Sequence, residues 1–317
     1  MNKREFLATA SATALAALSG AVHAADLRQT SIIVPYTPGG LSDVLLRALA
    51  PIAAKHLGRN IIIENKPGNA GLLGPVQMAR TAKPDGSVVS FLGIGAYREP
   101  FFRKVDWDPI KDFDYVIGLW GFVFGIVVPV DSPFQTLKDI VEFGRKNPGD
   151  FTFGSSGNLS SPHLLMENLG LMTGAKFNHI PFKGTSEAIQ ATIGKHVMAT
   201  IESPAWAPAV DGGLLRVVAT FTEQRTRWNA PTAREAGYDL VFTSPAGLVA
   251  PKGLPPPTLK ALHDALRAAL DDPAFQQTLV KYDMVYWYRS SADYLAWAEQ
   301  TLVREKDLLT RLNLVRS

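Results

Sequence analysis

The stretch YTPGGLSD, residues 36–43, sits between an apolar run, SIIV, and a periodic apolar segment. Gly39 and Gly40 allow positive φ and a close backbone approach. Ser42 is placed to cap the helix that follows, and a helix start offers free N–H groups and partial positive charge to an anion. Tyr36, Thr37, Pro38, Leu41 and Asp43 complete the loop. A second stretch, GSSGNLSSPH at 154–163, again follows a strand-like run. It supplies Ser155, Ser156, Gly157, Asn158, Ser160, Ser161 and His163, and Pro162 suits the first helical position after a Ser161 cap. A third, FKGTSE at 182–187, repeats the arrangement with Lys183, Gly184 and Thr185. An ordinary turn would explain any one of these loops. The three together form a set of neutral donors suited to a carboxylate. Glu202 and Ser203, after the apolar VMATI, are candidates for the floor of the same site. A carboxylate there either holds a substrate amine or hydroxyl or pairs with Lys183.

Other chemistries lack their residues. No Lys-Ser/Thr follows the glycines and no G-x-G-x-x-G occurs, so nucleotide binding is not indicated. Gly154-Ser155-Ser156-Gly157 has the wrong spacing for a nucleophile elbow, and His163 falls beside Ser161 on a helix start rather than facing it. No two histidines have zinc-ligand spacing, and the chain has no cysteine. Net charge is +3 without a basic run, which argues against nucleic acid as a partner. The reading is a non-enzymatic, monomeric protein without cofactor or metal.

These loops need elements to hold them. Strand-like and helix-like segments alternate: SIIVPY, a helix from Ser42 to about Leu57 with Pro51 kinking it, NIIIEN, a glycine-rich loop with a helix, and SVVSFLGIG. That order argues for an α/β fold with largely parallel sheets. Two long apolar runs containing glycine, at 115–130 and 240–251, could carry the chain from one lobe to a second and back. The expected division is lobe I from residues 25–122 and 248–317, with lobe II from 123–247. Ligands in open α/β sheets sit at the carboxyl ends of strands, which turns the three loops toward a cleft between lobes. At the N-terminus, Lys3 and Arg4, an Ala-rich apolar stretch and VHA read as a secretory signal cleaved after Ala24. The protein is therefore expected in the periplasm.

Beyond single loops, the chain resembles the periplasmic solute-binding proteins of tripartite tricarboxylate transporters, the Bug or TctC family. The likeness runs in order through IIVPYTPGGLSDVLLRALA, IIIENKPGNAGLLG, DWDPIKDFDYV, FTFGSSGNLSSPHL, HIPFKGTSEAI, APTAREAGYDL and GLVAPKGLPPPTLKAL. It implies a two-lobed type II periplasmic binding fold that closes like a flytrap on a carboxylate-bearing ligand, and delivery of that ligand to membrane permease subunits. A periplasmic subunit that signals to a sensor kinase would use the same cleft. By position, the likeness carries ligand contact to residues 36–43, 155–163 and 183–185 and to Glu202. The chain departs from the family in the loop GIGAYREP, which is short and carries Arg98, and in Glu202-Ser203 where the family has Asp-Asn. Arg98 is accordingly expected either to face the cleft and read a second anionic or polar group, or to lie solvated on the surface.

Overall fold

The computed structural model describes residues 29–315, so the expected signal segment lies outside the described residues. In chain order the elements are β1 (Thr30–Val34), α1 (Leu41–Leu57), β2 (Ile61–Asn65), α2 (Leu73–Thr81), β3 (Val88–Leu92), α3 (Glu99–Phe102), β4 (Phe113–Phe122), β5 (Gly125–Pro129), α4 (Leu137–Lys146), β6 (Phe151–Ser155), α5 (Ser161–Thr173), β7 (Phe177–Pro181), α6 (Thr185–Ile193), β8 (Ala199–Glu202), α7 (Ala207–Asp211), β9 (Leu215–Thr220), β10 (Ser244–Pro251), α8 (Pro256–Leu270), α9 (Pro273–Lys281), β11 (Val285–Arg289) and α10 (Ser291–Arg311). They build two sheets, in the orders β11-β4-β10-β3-β1-β2 and β7-β6-β8-β5-β9.

Burial follows position in the sheet. Every residue of the interior strands β1 and β5 is buried, which is why both read as unbroken apolar runs. The edge strands β2 and β7 have no fully buried residue. Contrary to the expectation of largely parallel sheets, both sheets are mixed. β1 pairs parallel with β2 and β3, and β6 with β7 and β8. The strands at the crossings run the other way: β10 is antiparallel to β3 and β4, and β5 to β8 and β9. The reason is the double crossing. A chain that leaves one sheet through β4 and returns through β10 re-enters at the end it left by, with Ser244 beside Phe122, so the returning strand must oppose its neighbours.

Both apolar runs split at the crossing. The first passes from β4 to β5 through Val123 and Phe124, and the second enters the first sheet at Ser244, four residues before the expected 248. The connecting segments lie side by side: Phe221 N donates to Phe124 O (2.9 Å) and Phe242 N to Phe221 O (2.9 Å). α1 runs through Pro51 as one continuous helix.

Candidate functional site

The carboxyl ends of strands from both sheets close around one cavity of ≈ 60 Å³ of water-reachable space. At ~10–15 Å³ per water on this measure, that is room for a few waters or a small organic molecule. Three helices begin at its wall. Gly40, Leu41 and Ser42 belong to the start of α1, Ser160, Ser161 and Pro162 to the start of α5, and Thr185 to the start of α6. First-turn N–H groups have no acceptor within their helix, so each start presents donors and partial positive charge to the same space. None of the described lining residues is Lys or Arg.

The floor carries one charge-bearing group. Glu202, 2% exposed at the end of β8, accepts from Ser156 N (2.6 Å), Thr185 Oγ1 (3.0 Å) and Ser203 N (3.3 Å). Burial raises its pKa above the ordinary carboxylate value, and the Ser156 hydroxyl together with these three donors opposes the rise without cancelling it. Burial, together with the charge of Glu202, also pushes the phenol of Tyr36 up to about 12, so Tyr36 is a neutral hydroxyl in the wall. Its ring needs Gly71, where an added Cβ would stand 2.6 Å from the Tyr36 hydroxyl.

The structure sorts the expected site residues into four groups. Tyr36, Gly40, Leu41, Ser42, Ser156, Ser160, Ser161, Thr185, Glu202 and Ser203 line the cavity. A second group joins the lobes around it. Thr37 Oγ1 meets Ser186 Oγ (3.3 Å), Ser186 Oγ donates to Pro38 O (2.9 Å), and a Cβ on Gly184 would overlap Thr37. The third group supports the loops from behind. Gly39 N–H is spent on Asp43 Oδ2 (3.0 Å), and Asp43 is held by Arg47 and Asn65. Ser155 Oγ bonds His179 Nε2 (2.6 Å) and Ser160 Oγ (3.1 Å), while His163 accepts from Leu159 N and stacks on His179. Gly157, Asn158 and the exposed Lys183 line an outer groove instead.

Several expectations are thereby corrected. Ser42 is not the cap of α1: Gly40 occupies that position without a side-chain bond, because Asp43 folds back onto Gly39. Ser161 is the first residue of α5, not its cap. Glu202 pairs with hydroxyl and amide donors, not with Lys183. Arg98 does not line the cavity. It is fully buried against Glu305 (2.6 Å), Leu159 O (2.8 Å) and Ser161 Oγ (3.2 Å), tying α10 of the first sheet's lobe to the loop before α5. Sequence reasoning also missed the apolar wall of Phe91, Phe122, Phe124, Ile94 and Ala246, together with Ser244 and Ala70. The three phenylalanines read as core strand residues. The signal available was their place at strand ends beside the crossings.

A family model described as "Tripartite tricarboxylate transporter family receptor" matches residues 45–314. A Cupriavidus necator protein, "UPF0065 protein in gbd 5'region", is 42% identical over the full length of both chains. The periplasmic binding protein BugD superposes with a TM-score of 0.86 at 26% identity, covering 92% of this chain and 99% of that one. An R. palustris protein solved with adipate gives the same TM-score and coverage at 25% identity.

Proposed function

The chain belongs to the tripartite tricarboxylate transporter receptor family, and on that footing we propose that it is an exported receptor that captures a small carboxylate between its lobes and hands it to the permease subunits of a membrane transporter. One observation carries the reading: three helix starts converge on one cavity that no described Lys or Arg lines. Such a site favours an anion through backbone dipoles, at about 0.3–1 kcal/mol per helix start and up to ~2 when partly buried. Each hydrogen bond to the anion adds about 1.5–3 kcal/mol before association costs. The two starts whose donors are not committed to Glu202, α1 and α5, supply enough such contacts for micromolar affinity, which needs about −8 kcal/mol.

The division into lobes gives the motion. Residues 29–122 and the C-terminal part from Ser244 form one body, residues 123–243 the other, and they turn about the paired crossings. Thr37, Ser186, Arg98 and Leu159 meet only when the lobes close. The periplasmic location rests on the N-terminal signal pattern and on the family. No helix among the described residues is long and apolar enough to cross a membrane. Capture and release call for no bond-making, so the protein acts as a receptor and not as an enzyme.

A melting screen of the purified protein with mono-, di- and aromatic carboxylates tests this. A ligand at a hundredfold excess over Kd adds about 2.7 kcal/mol and raises the melting temperature by about 5–10 °C. A screen in which no acid shifts the transition contradicts the proposal.

A further inference from the structure

Resting on the receptor reading above, we infer that Arg98 is a positioning residue for ligand capture: it stands one side chain behind the cavity wall and makes the Ser161 hydroxyl a donor to the ligand carboxylate. Donors are scarce in this cavity. The Ser156 N–H and hydroxyl, the Thr185 hydroxyl and the Ser203 N–H are all spent on Glu202. Ser161, the first residue of α5, lines the cavity, and its Oγ accepts from Arg98 Nη1 (3.2 Å). A guanidinium has donors only, whereas a hydroxyl has one hydrogen and two lone pairs. With Arg98 donating, one lone pair of Ser161 is used and its hydrogen must go elsewhere. No described residue accepts it, which leaves it for the cavity. A hydroxyl that accepts from a cation is also the stronger donor to an anion.

The same guanidinium shapes the loop ahead of α5. Nη1 also donates to Leu159 O (2.8 Å). Leu159 is a buried leucine at φ 57°, in the left-handed region that is strained for a side chain of its size. Its N–H is held by His163 Nδ1 (3.0 Å) and its carbonyl by Arg98, and this pinned residue sets Ser160 and Ser161 on the wall. Stability alone would not choose this arrangement. Arg98 Nη2 is buried with no partner among the described residues, and a buried charge kept only for the fold would have its donors met. The field of Arg98 also reaches the cavity: at the Tyr36 phenol, burial and then Glu202 raise the pKa and Arg98 opposes them. An anion in the cavity is favoured by the same field. Arg98 follows β3 of the first sheet and Ser161 follows β6 of the second, so the hydroxyl is set only when the lobes close.

A double-mutant cycle read by calorimetry tests the inference, with acetate, succinate, adipate and benzoate as probes and the tightest of them carried through. Ser161→Ala keeps the Arg98 bond to Leu159 and is expected to weaken binding roughly tenfold. Arg98 is changed in two backgrounds. Arg98→Leu with Glu305→Leu leaves no stranded charge, and Arg98→Lys keeps a charge at Glu305 but lacks the fork that also reaches Leu159 and Ser161. Each is expected to weaken binding roughly tenfold or more. Adding Ser161→Ala to either then costs less than about twofold, because the hydroxyl has already lost its orientation. A merely structural Arg98 would not give that coupling, since independent losses multiply. Losses that multiply, full affinity in Ser161→Ala, or full affinity in a folded Arg98 background overturn the inference and leave the receptor reading standing, because the parent still binds. Failure of both Arg98 backgrounds to fold would make the residue structural and overturn the inference as well. No binding of any probe to the parent overturns both.

Discussion

Arg98 and Glu305 are 207 residues apart and form one buried ion pair, with Arg98 at 0% and the Glu305 side chain at 10% exposure. Removing one partner strands the other. Arg98→Leu is expected to lower stability by about 3–5 kcal/mol, measured by urea unfolding, and Arg98→Leu with Glu305→Leu to recover most of the loss. A double variant as unstable as the single one would mean that the bonds to Leu159 and Ser161 dominate. His179 makes a second prediction at this scale. Burial, then the neighbouring His163, depresses its pKa from 6.5 to about 3. The unfolded chain therefore binds the extra proton first, and stability falls as pH drops from about 6.5 toward 3. His179→Phe should flatten that fall in urea titrations across the window, and an unchanged pH dependence would show that His179 does not cause it. At this scale the sequence was half legible. Glycines and hydroxyls before helices marked the loops, because those residue types serve few other purposes there. It could not tell Ser156, which faces the cavity wall, from Ser155, which bonds His179. Nor could it show that Asp43 consumes the Gly39 N–H. The first choice depends on a partner 24 residues away, the second on which way a side chain four residues on turns.

Elements were more legible than partners. The unbroken runs SIIV and FTFGS and the capping residues located strands and helix starts to within a residue or two, since burial and capping are local. Strand direction was not local, and the mixed sheets follow from the double crossing instead. The same scale governs closure. Gly184 has an extended backbone, so glycine is not needed there for its conformation; a Cβ would overlap the Thr37 hydroxyl across the cleft. Gly184→Val is therefore expected to leave unfolding stability nearly unchanged while opposing closure. If it cuts the closed population to about a tenth, affinity falls about tenfold. Titration of the same acid into parent and variant checks this, and equal affinities would remove the contact from the closing surface.

For the whole molecule, the ordered series of motifs was enough to indicate the family and a two-lobed fold, because many weak local matches in one order are specific together. The occupant of the cleft stayed hidden, since the cavity draws its walls from both lobes and from strands that read as core. Two bodies joined by paired crossings should be more compact when the cleft is occupied. X-ray scattering with saturating ligand is expected to show a smaller radius of gyration than the free protein. The most direct test of the central claim fills the cavity. Ser244 is buried at the start of β10 and lines it. Calorimetry of the acid that stabilises the protein most should give one site per chain and near-micromolar affinity in the parent. In folded Ser244→Tyr the affinity should be roughly tenfold or more weaker. Equal affinity in the two proteins would place the binding site elsewhere and contradict the account.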